Sequence, residues 1–191
     1  MKKLCLGIIA LIIVMSGVVF AHPKNNHKYH INLEKKNILV AYYSLSGNTK
    51  SVAERIHSQT GGDLFEIVTK TKYPTEKRLL TEVARYQNEN NIYPEIKNTV
   101  DVSKYDVIFI GTPVWFSTMA MPVKTFLTQN NFKNKYIIPF ITSGSGDGYD
   151  IDVDIDDITN GKVVSNMLVI KNKGSDNIDK EIKNWLKSLK K

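Results

Sequence analysis

One short stretch near the start of this 191-residue chain constrains its fold more than any other part. Residues 38–43 form a continuous apolar, β-branched and aromatic run, which is typical of a strand buried on both faces of a sheet. A hydroxyl-rich turn follows directly, and a helical pattern then places Val52, Ala53 and Ile56 on one face. A buried strand, a turn and a helix in this order predict an α/β fold.

The turn between that strand and that helix is rich in hydrogen-bond donors. The first turn of a helix leaves backbone N–H groups unpaired, and the helix dipole makes this end electropositive, so a phosphate is stabilised there. Gly47 lets the backbone approach a ligand without a Cβ in the way. A single serine acting as the helix N-cap is the simpler interpretation, but several donors together favour an anion site. The turn consists of Ser44, Leu45, Ser46, Gly47, Asn48 and Thr49.

Two common phosphate-binding motifs are absent from the sequence. It contains no G-x-G-x-x-G fingerprint, which would indicate a dinucleotide loop. It also contains no G-x-x-x-x-G-K-S/T loop, and this absence argues against a nucleoside triphosphate as the ligand.

Further strand-like runs follow, and helical patterns alternate with them. One helical pattern begins at Pro74 and places Leu79, Leu80, Val83 and Tyr86 on one face. Strands that alternate with helices predict a parallel sheet covered by helices on both faces. The predicted strands after the first are residues 63–68, 105–110, 136–141 and 163–170.

Two more loops follow the third and fourth predicted strands. In a parallel sheet, ligands bind outside the carboxyl ends of the strands, so all three loops are expected at one edge. A large aromatic side chain in such a loop would exclude water and cover a flat apolar ligand. The second loop comprises Thr112, Pro113, Val114, Trp115 and Phe116, and the third comprises Thr142, Ser143, Gly144, Ser145, Gly146 and Asp147.

The first loop also resembles a known motif. Tyr43 to Lys50, YSLSGNTK, is similar to the FMN-phosphate loop of flavodoxins, whose pattern is Ser/Thr-x-Ser/Thr-Gly-x-Thr at the end of the first strand. From Asn37 to the C-terminus, the chain is similar to the flavodoxin-like family. The resemblance implies a doubly wound, five-stranded parallel sheet of order 2-1-3-4-5, FMN as the cofactor, and electron transfer as the activity.

The resemblance implies a role for each loop. Residues 44–49 would bind the FMN phosphate, and Trp115 would stack on the isoalloxazine ring. The backbone of residues 112–116 would meet the ring edge, and residues 142–147 would form the other ring-contacting loop. The alternative for Trp115 is packing against a neighbouring helix.

One departure from the family pattern leaves the type of redox chemistry open. Relatives carry Gly after the aromatic pair, where this chain has Ser117. Because Gly changes its peptide orientation more easily, specialisation for one-electron transfer is in doubt. The alternative function is an NAD(P)H-dependent flavin or quinone reductase that uses the same FMN site. No acid–base pair stands out near the loops, so no catalytic residue is predicted.

The N-terminus is predicted to be a secretory signal. Two lysines precede an apolar run over residues 4–20, and small residues up to Ala21 match a cleavage site, so residues 1–21 are expected to be removed. An uncleaved anchor is the alternative, because about 17 apolar residues is near the lower limit for spanning a membrane. Either way the domain, residues 37–191, is expected outside the cytoplasm. Residues 22–36 are polar without periodicity and are predicted to be a flexible linker.

Charge and cysteine content restrict the partners. The net charge is +7, yet no basic stretch is interleaved with aromatic residues, so nucleic acid is not an expected partner. An anionic surface such as a membrane is a better candidate. Cys5 is the sole cysteine and lies in the predicted signal, so removal of the signal excludes thiol chemistry. No metal site is predicted, because His22, His27 and His30 have no supporting carboxylate or cysteine.

An acidic cluster follows the third loop. Its spacing lacks the Gly and Glu of a calcium loop, and a solvated helix start is the simplest interpretation. Beside a flavin edge, the same cluster could dock a basic redox partner. A redox protein or a small electron donor or acceptor is therefore the expected partner. The cluster comprises Asp147, Asp150, Asp152, Asp154, Asp156 and Asp157.

Overall fold

The computed structural model describes residues 29–172, 174 and 176–190. The predicted signal, residues 1–21, lies outside this part of the chain. Within the described part, no helix has both the length and the apolar character needed to cross a lipid bilayer.

A mostly parallel sheet forms the centre of the molecule. Its strands are β1 (Ile38–Tyr42), β2 (Asp63–Glu66), β3 (Val107–Trp115), β4 (Thr118–Met119), β5 (Tyr136–Ser143), β6 (Lys162–Val163) and β7 (Leu168–Lys171). The order across the sheet is β2-β1-β3-β5, and β6 and β7 both pair with the free edge of β5. β4 folds back antiparallel on the end of β3. All other pairs are parallel.

The predicted sheet order is confirmed when β6 and β7 are counted as one interrupted strand. The predicted strand over residues 163–170 forms as two shorter strands, β6 and β7, and the residues between them do not pair with β5 in the regular pattern. In this gap the indole of Trp185 donates a 2.8 Å hydrogen bond to the carbonyl of Asn166. A side chain thus takes a backbone acceptor that a continuous strand would use in the sheet.

Helices cover both faces of the sheet. They are α1 (Asn48–Thr60), α2 (Lys77–Glu89), α3 (Met121–Gln129), α4 (Ile151–Ile158) and α5 (Ile178–Ser188), with a short 3-10 helix (Val102–Lys104) before β3. α1 and α5 pack on the face that carries Val40 and Phe109. α3 and α4 pack on the other face, which carries Leu39 and Ile108. Every residue of β1 is buried, as the continuous apolar run predicts.

α2 differs from its prediction in position and in the face that it buries. It begins at Lys77, because the Glu76 carboxylate caps it by accepting hydrogen bonds from two backbone N–H groups. Leu79, Val83 and Tyr86 are exposed, and Ala84 is the buried residue of this helix. Leu80 is half-buried against the core, and the hydrogen bond between Tyr73 and Gln87 holds a polar position of α2 toward the domain, so the rest of the predicted apolar stripe faces solvent.

The segment before β1 packs on the domain from Tyr29 onward, where the sequence predicts a linker. Ile31 is only 2% exposed and belongs to the core, and its N–H donates a 2.7 Å hydrogen bond to the carbonyl of Leu189. Tyr29 contacts Tyr136 edge to face. Tyr29, Ile31 and Leu33 alternate with polar residues and pack on the same core cluster, but three apolar side chains in a polar stretch are too weak a pattern to predict this packing. Residues 22–28 lie outside the described part.

Candidate functional site

The first loop ends at an uncapped helix. Gly47 adopts φ +88° as the N-cap residue of α1, a left-handed conformation that favours glycine. No side chain in the described part of the chain caps α1, so the loop leaves the first-turn N–H groups available to an anion. No heavy atom outside the adjacent residues lies within 4 Å of the position that a Cβ on Gly47 would occupy. Leu45 and Ser46 are exposed, and Asn48 is half-buried.

Ser44 carries an unpaired buried hydroxyl. Its Oγ is buried and has no hydrogen-bond partner among the described protein atoms. A buried hydroxyl without a partner is unfavourable, and such a group in a native fold calls for a ligand or water to complete it. Ser44 directly follows the buried end of β1 and precedes the α1 N-terminus. Its hydroxyl therefore fits a phosphate oxygen bound at the start of that helix.

A direct contact joins the first loop to the third. The hydroxyls of Thr49 and Thr142 lie 2.8 Å apart, and both residues are buried. Thr142 also pairs with Pro113 in the register of β5 and β3. Strand ends from three different parts of the sequence therefore meet at one point of the sheet edge.

Trp115 lies in an aromatic cluster. Its ring is half-buried and meets Tyr43 edge to face at a centroid distance of 5.7 Å, and Tyr73 at 5.2 Å. The Tyr73 hydroxyl donates a 2.6 Å hydrogen bond to Gln87 of α2. Burial raises the pKa of Tyr73 to about 12 and also raises the pKa of Tyr43 above its ordinary value. The indole thus contacts two tyrosines and also packs against the core cluster on that face of the sheet, which includes residues of α3 and α4.

The second loop ends in a tight hairpin between β3 and β4. Phe116 and Ser117 are its two central residues, with φ of +50° and +63°. Two successive left-handed residues match the type I′ turn that connects two-residue hairpins. Ser117 therefore occupies a conformation that glycine would adopt more easily. Phe116 is 40% exposed, and the Arg85 guanidinium lies 5.7 Å from its ring centroid.

Thr112 anchors the start of that hairpin from inside. It is fully buried, its hydroxyl accepts a 3.0 Å hydrogen bond from the N–H of Ala120, and it donates to the carbonyl of Pro113. Val114 pairs with Met119 across β3 and β4. The buried threonine thereby ties the hairpin to the beginning of α3.

The third loop is closed by its own hydroxyls. The Ser143 and Ser145 hydroxyls lie 3.0 Å apart, and they accept hydrogen bonds from the N–H groups of Gly146 and Asp147 respectively. Gly146 adopts φ +92°. The exposed part of the loop, Gly144 included, lies beside the end of β7, where the N–H of Asn172 bonds the Ser143 carbonyl.

The predicted site residues therefore divide into two groups. Contacts through Tyr43, Thr49 and Thr142 join the three loops at the base of the site. Residues 144–147 make their described contacts within the third loop and to β7, not to the first loop. Tyr73 belongs to the site but lies in a stretch without periodicity, so the sequence carries no signal for it.

The acidic cluster lies next to the hairpin. The Thr118 hydroxyl donates a 2.6 Å hydrogen bond to the Asp154 carboxylate of α4. Asp147 of the third loop is exposed, as is Asp150 at the start of α4. Carboxylates therefore border the second and third loops. Within the described residues, no group of three or more histidine, cysteine or acidic side chains is arranged to hold a metal.

Several solved structures share this fold. A candidate flavoprotein from Bacteroides eggerthii DSM 20697 is 29% identical, with a TM-score of 0.67, over 81% of this chain and 98% of that one. A flavoprotein in complex with FMN from Lactobacillus acidophilus NCFM is 28% identical, with a TM-score of 0.61, over 79% of this chain and 99% of that one. A flavodoxin from the domain Archaea, at 18% identity and a TM-score of 0.51, shares the fold.

A family model agrees with these structural similarities. The model described as Flavodoxin matches residues 37–189, which include all three loops and, in the described part of the chain, every strand and helix. The matched range begins one residue before β1 and thus coincides with the doubly wound unit. The chain belongs to the flavodoxin family.

Proposed function

We propose that this protein binds FMN at the three loops and transfers electrons outside the cytoplasm. The observation that carries the proposal is the buried, unpaired Ser44 hydroxyl at the start of the uncapped helix α1. A phosphate at this point would complete the hydrogen bonding of Ser44 and of the first helical turn. The Lactobacillus relative, a flavoprotein in complex with FMN, supports the choice of ligand.

The first loop would hold the phosphate of FMN. Ser44, Ser46 and Thr49 offer hydroxyls, and Asn48 offers an amide. The left-handed Gly47 turns the chain into α1 and brings the backbone close to the anion. The contact between Thr49 and Thr142 would fix the phosphate relative to the third loop.

The second and third loops would hold the ring. Trp115, kept in place by Tyr43 and Tyr73, provides a flat apolar wall. The backbone of residues 112–116 and of residues 142–147 would supply polar contacts to the ring edge. FMN, when bound, supplies the redox chemistry, whereas these residues bind it, orient it and exclude water from one side.

The acidic border suggests the kind of redox partner. Carboxylates beside the hairpin would attract a basic protein or a cationic electron donor and would raise its association rate. The test is the rate of reduction by a cationic donor at rising ionic strength. We expect the rate to fall as salt screens the attraction, and a rate independent of salt would remove this part of the proposal.

The location outside the cytoplasm rests on the N-terminal sequence. Lys2, Lys3 and the apolar run over residues 4–20 have the pattern of a secretory signal. Mass spectrometry of the mature protein, purified from cells in which it is exported, would test it. A first residue of His22 supports export with cleavage, and an intact Met1 in the cytoplasmic fraction would contradict it.

The main experiment is FMN retention after gel filtration, measured by visible absorption. The chain from residue 22 onward should keep one FMN per protein. Ser44→Ala should weaken binding by about tenfold to a hundredfold, since a hydrogen bond to a charged group contributes about 1.5–3 kcal/mol. Ser58→Ala, at the far end of the same helix, removes a hydroxyl bonded to the Arg55 carbonyl and should leave FMN affinity unchanged. A folded wild-type protein that retains no flavin would refute the proposal.

Stepwise photoreduction would distinguish an electron carrier from the alternative reductase. A carrier should accept one electron at a time and should not oxidise NADH or NADPH at a useful rate. Steady nicotinamide turnover with a flavin or quinone acceptor would instead assign the alternative function.

A further inference from the structure

A groove of about 1070 Å³ lies between the segment before β1, the end of α1 and one side of α5. Lysines line much of its rim, and we call them the basic face. We propose that the basic face docks on the surface of an anionic phospholipid bilayer. This inference is independent of FMN binding. The basic face consists of Lys35, Lys36, Lys180, Lys183, Lys187 and Lys190.

Helical geometry gathers the lysines of α5 on one side. Lys180, Lys183 and Lys187 are spaced by three and four residues and are all exposed. The opposite side of the helix buries Ile182 and Trp185 in the core. Because the apolar side of α5 is fixed against the sheet, the three lysines stay together on its exposed side.

Most of the positive charge of this face is not neutralised. Lys190 pairs with Glu34 at 3.2 Å. Asp179, the other acidic residue of the groove, pairs with Arg55 at 2.7 Å instead of with a lysine. The remaining five lysines have no carboxylate at ion-pair distance among the described residues. Unpaired, closely spaced cations repel each other, and an anionic surface would relieve that repulsion.

The chemistry of the groove favours a bilayer over other anions. No aromatic side chain lines it, so nucleic-acid bases would find nothing to stack on. Its cations stand on long flexible stems at an exposed rim, which does not form a rigid pocket for one small phosphate. Clusters of about four to eight lysines are the usual means by which a protein binds anionic lipids.

The position of the face agrees with this partner. Lys35 and Lys36 lie just before the start of β1, whereas the first loop follows the end of this strand. α1 starts at the first loop and ends at Thr60 in the groove. At about 1.5 Å per residue, the loops lie roughly 20 Å from the groove along this helix. A docked molecule would direct its three loops away from the bilayer, toward soluble partners.

The test is sedimentation with vesicles of phosphatidylcholine alone or with added phosphatidylglycerol. The chain from residue 22 onward is suitable, because both core clusters lie between Ile31 and Leu189. The variant replaces Lys36, Lys180, Lys183 and Lys187 by Gln. Its matched control replaces four exposed lysines elsewhere, Lys72, Lys77, Lys97 and Lys133, by Gln and so has the same net charge. Thermal unfolding would establish that all three proteins are folded.

We expect the wild-type chain to bind only the vesicles that contain phosphatidylglycerol and to lose this binding at high salt. Each lysine near an anionic surface strengthens binding roughly fivefold. Even if only two of the four replaced lysines contact the bilayer, the variant should bind the anionic vesicles at least about twentyfold more weakly than wild type. The control should stay within about twofold to threefold of wild type. Equal losses in variant and control would reduce the effect to net charge and overturn the proposal. So would equal binding to neutral vesicles, or competition by millimolar inorganic phosphate, which would indicate a small-anion site.

Discussion

Two glycines, one inside β3 and one in the loop after β1, illustrate how differently the sheet and its loop edge are built. A Cβ on Gly111 of β3 would lie 2.2 Å from Phe140 Cζ and 2.8 Å from Tyr42 Cβ, so the sheet has no free space there. Gly47 after β1 has open space around its Cβ position but needs a left-handed backbone. The sheet interior is closed by its own side chains, whereas the loop edge leaves space and donors. A ligand is expected where the protein does not complete its own contacts.

Gly111→Ala should have the largest effect, and it should act on the fold. Overpacking of this kind costs about 1–3 kcal/mol of unfolding free energy, and we expect the upper end here because Phe140 and Tyr42 are both buried and have little room to move. Urea denaturation followed by tryptophan fluorescence would measure it. Gly144→Ala is the control, because the nearest atom to its new Cβ is Asn172 Oδ1 at 3.9 Å. If Gly111→Ala is as stable as Gly144→Ala, the interior of the sheet around Gly111 is less tightly packed than the structure shows.

Trp115→Ala should have the next largest effect, and it should act on FMN binding. Loss of an aromatic wall of this size costs about 2 kcal/mol, or roughly a thirtyfold rise in Kd. Trp115→Phe keeps a ring between Tyr43 and Tyr73 and should recover most of the affinity. Fluorescence titration with FMN would compare the three proteins. Unchanged affinity in Trp115→Ala would mean that the indole serves the fold alone.

Gly47→Ala should have a smaller effect with a different origin. No atom obstructs the new Cβ, so the cost is only that of a left-handed backbone, about 1–2 kcal/mol. We expect a modest loss of stability, and a loss of FMN affinity if the backbone relaxes away from the phosphate. Calorimetric unfolding with and without FMN would separate the two. A much smaller loss of stability in Gly47→Ala than in Gly111→Ala would sharpen the contrast between the two sites. Equal losses in the two variants would break it.

The smallest effect concerns the aromatic cluster at high pH. The pKa of Tyr73 is raised from 10.0 to about 12, so folding favours the neutral phenol. Its contribution to stability is complete below about pH 10 and is lost as the pH rises toward 12. Between pH 8 and about pH 11, the unfolding free energy of Tyr73→Phe should fall by on the order of 1 kcal/mol less than that of the wild type. Parallel pH profiles in the two proteins would contradict the assigned burial.

Several features followed from local patterns because one principle decided each of them. The continuous apolar run of β1 predicted a strand buried on both faces, and alternation with helices predicted the parallel sheet. The prediction of α2 was wrong in the face that it buries, because Ala84 and a tyrosine hydrogen bond set its rotation. Hydrophobic periodicity reports that a helix is amphipathic, and it does not report which polar contact competes for the buried side.

The sequence by itself determined the order of strands and helices, the three loops and their residue types, and the resemblance to flavodoxins, because all of these are encoded within short segments. Only the tertiary structure showed that Tyr73 contacts Trp115, that Thr49 meets Thr142, and that the Ser44 hydroxyl has no hydrogen-bond partner among the residues that the structure describes. The tertiary structure alone also placed Lys36 beside α5. These features join residues that are far apart in the chain, and the distances between them are fixed by the packing of the whole sheet.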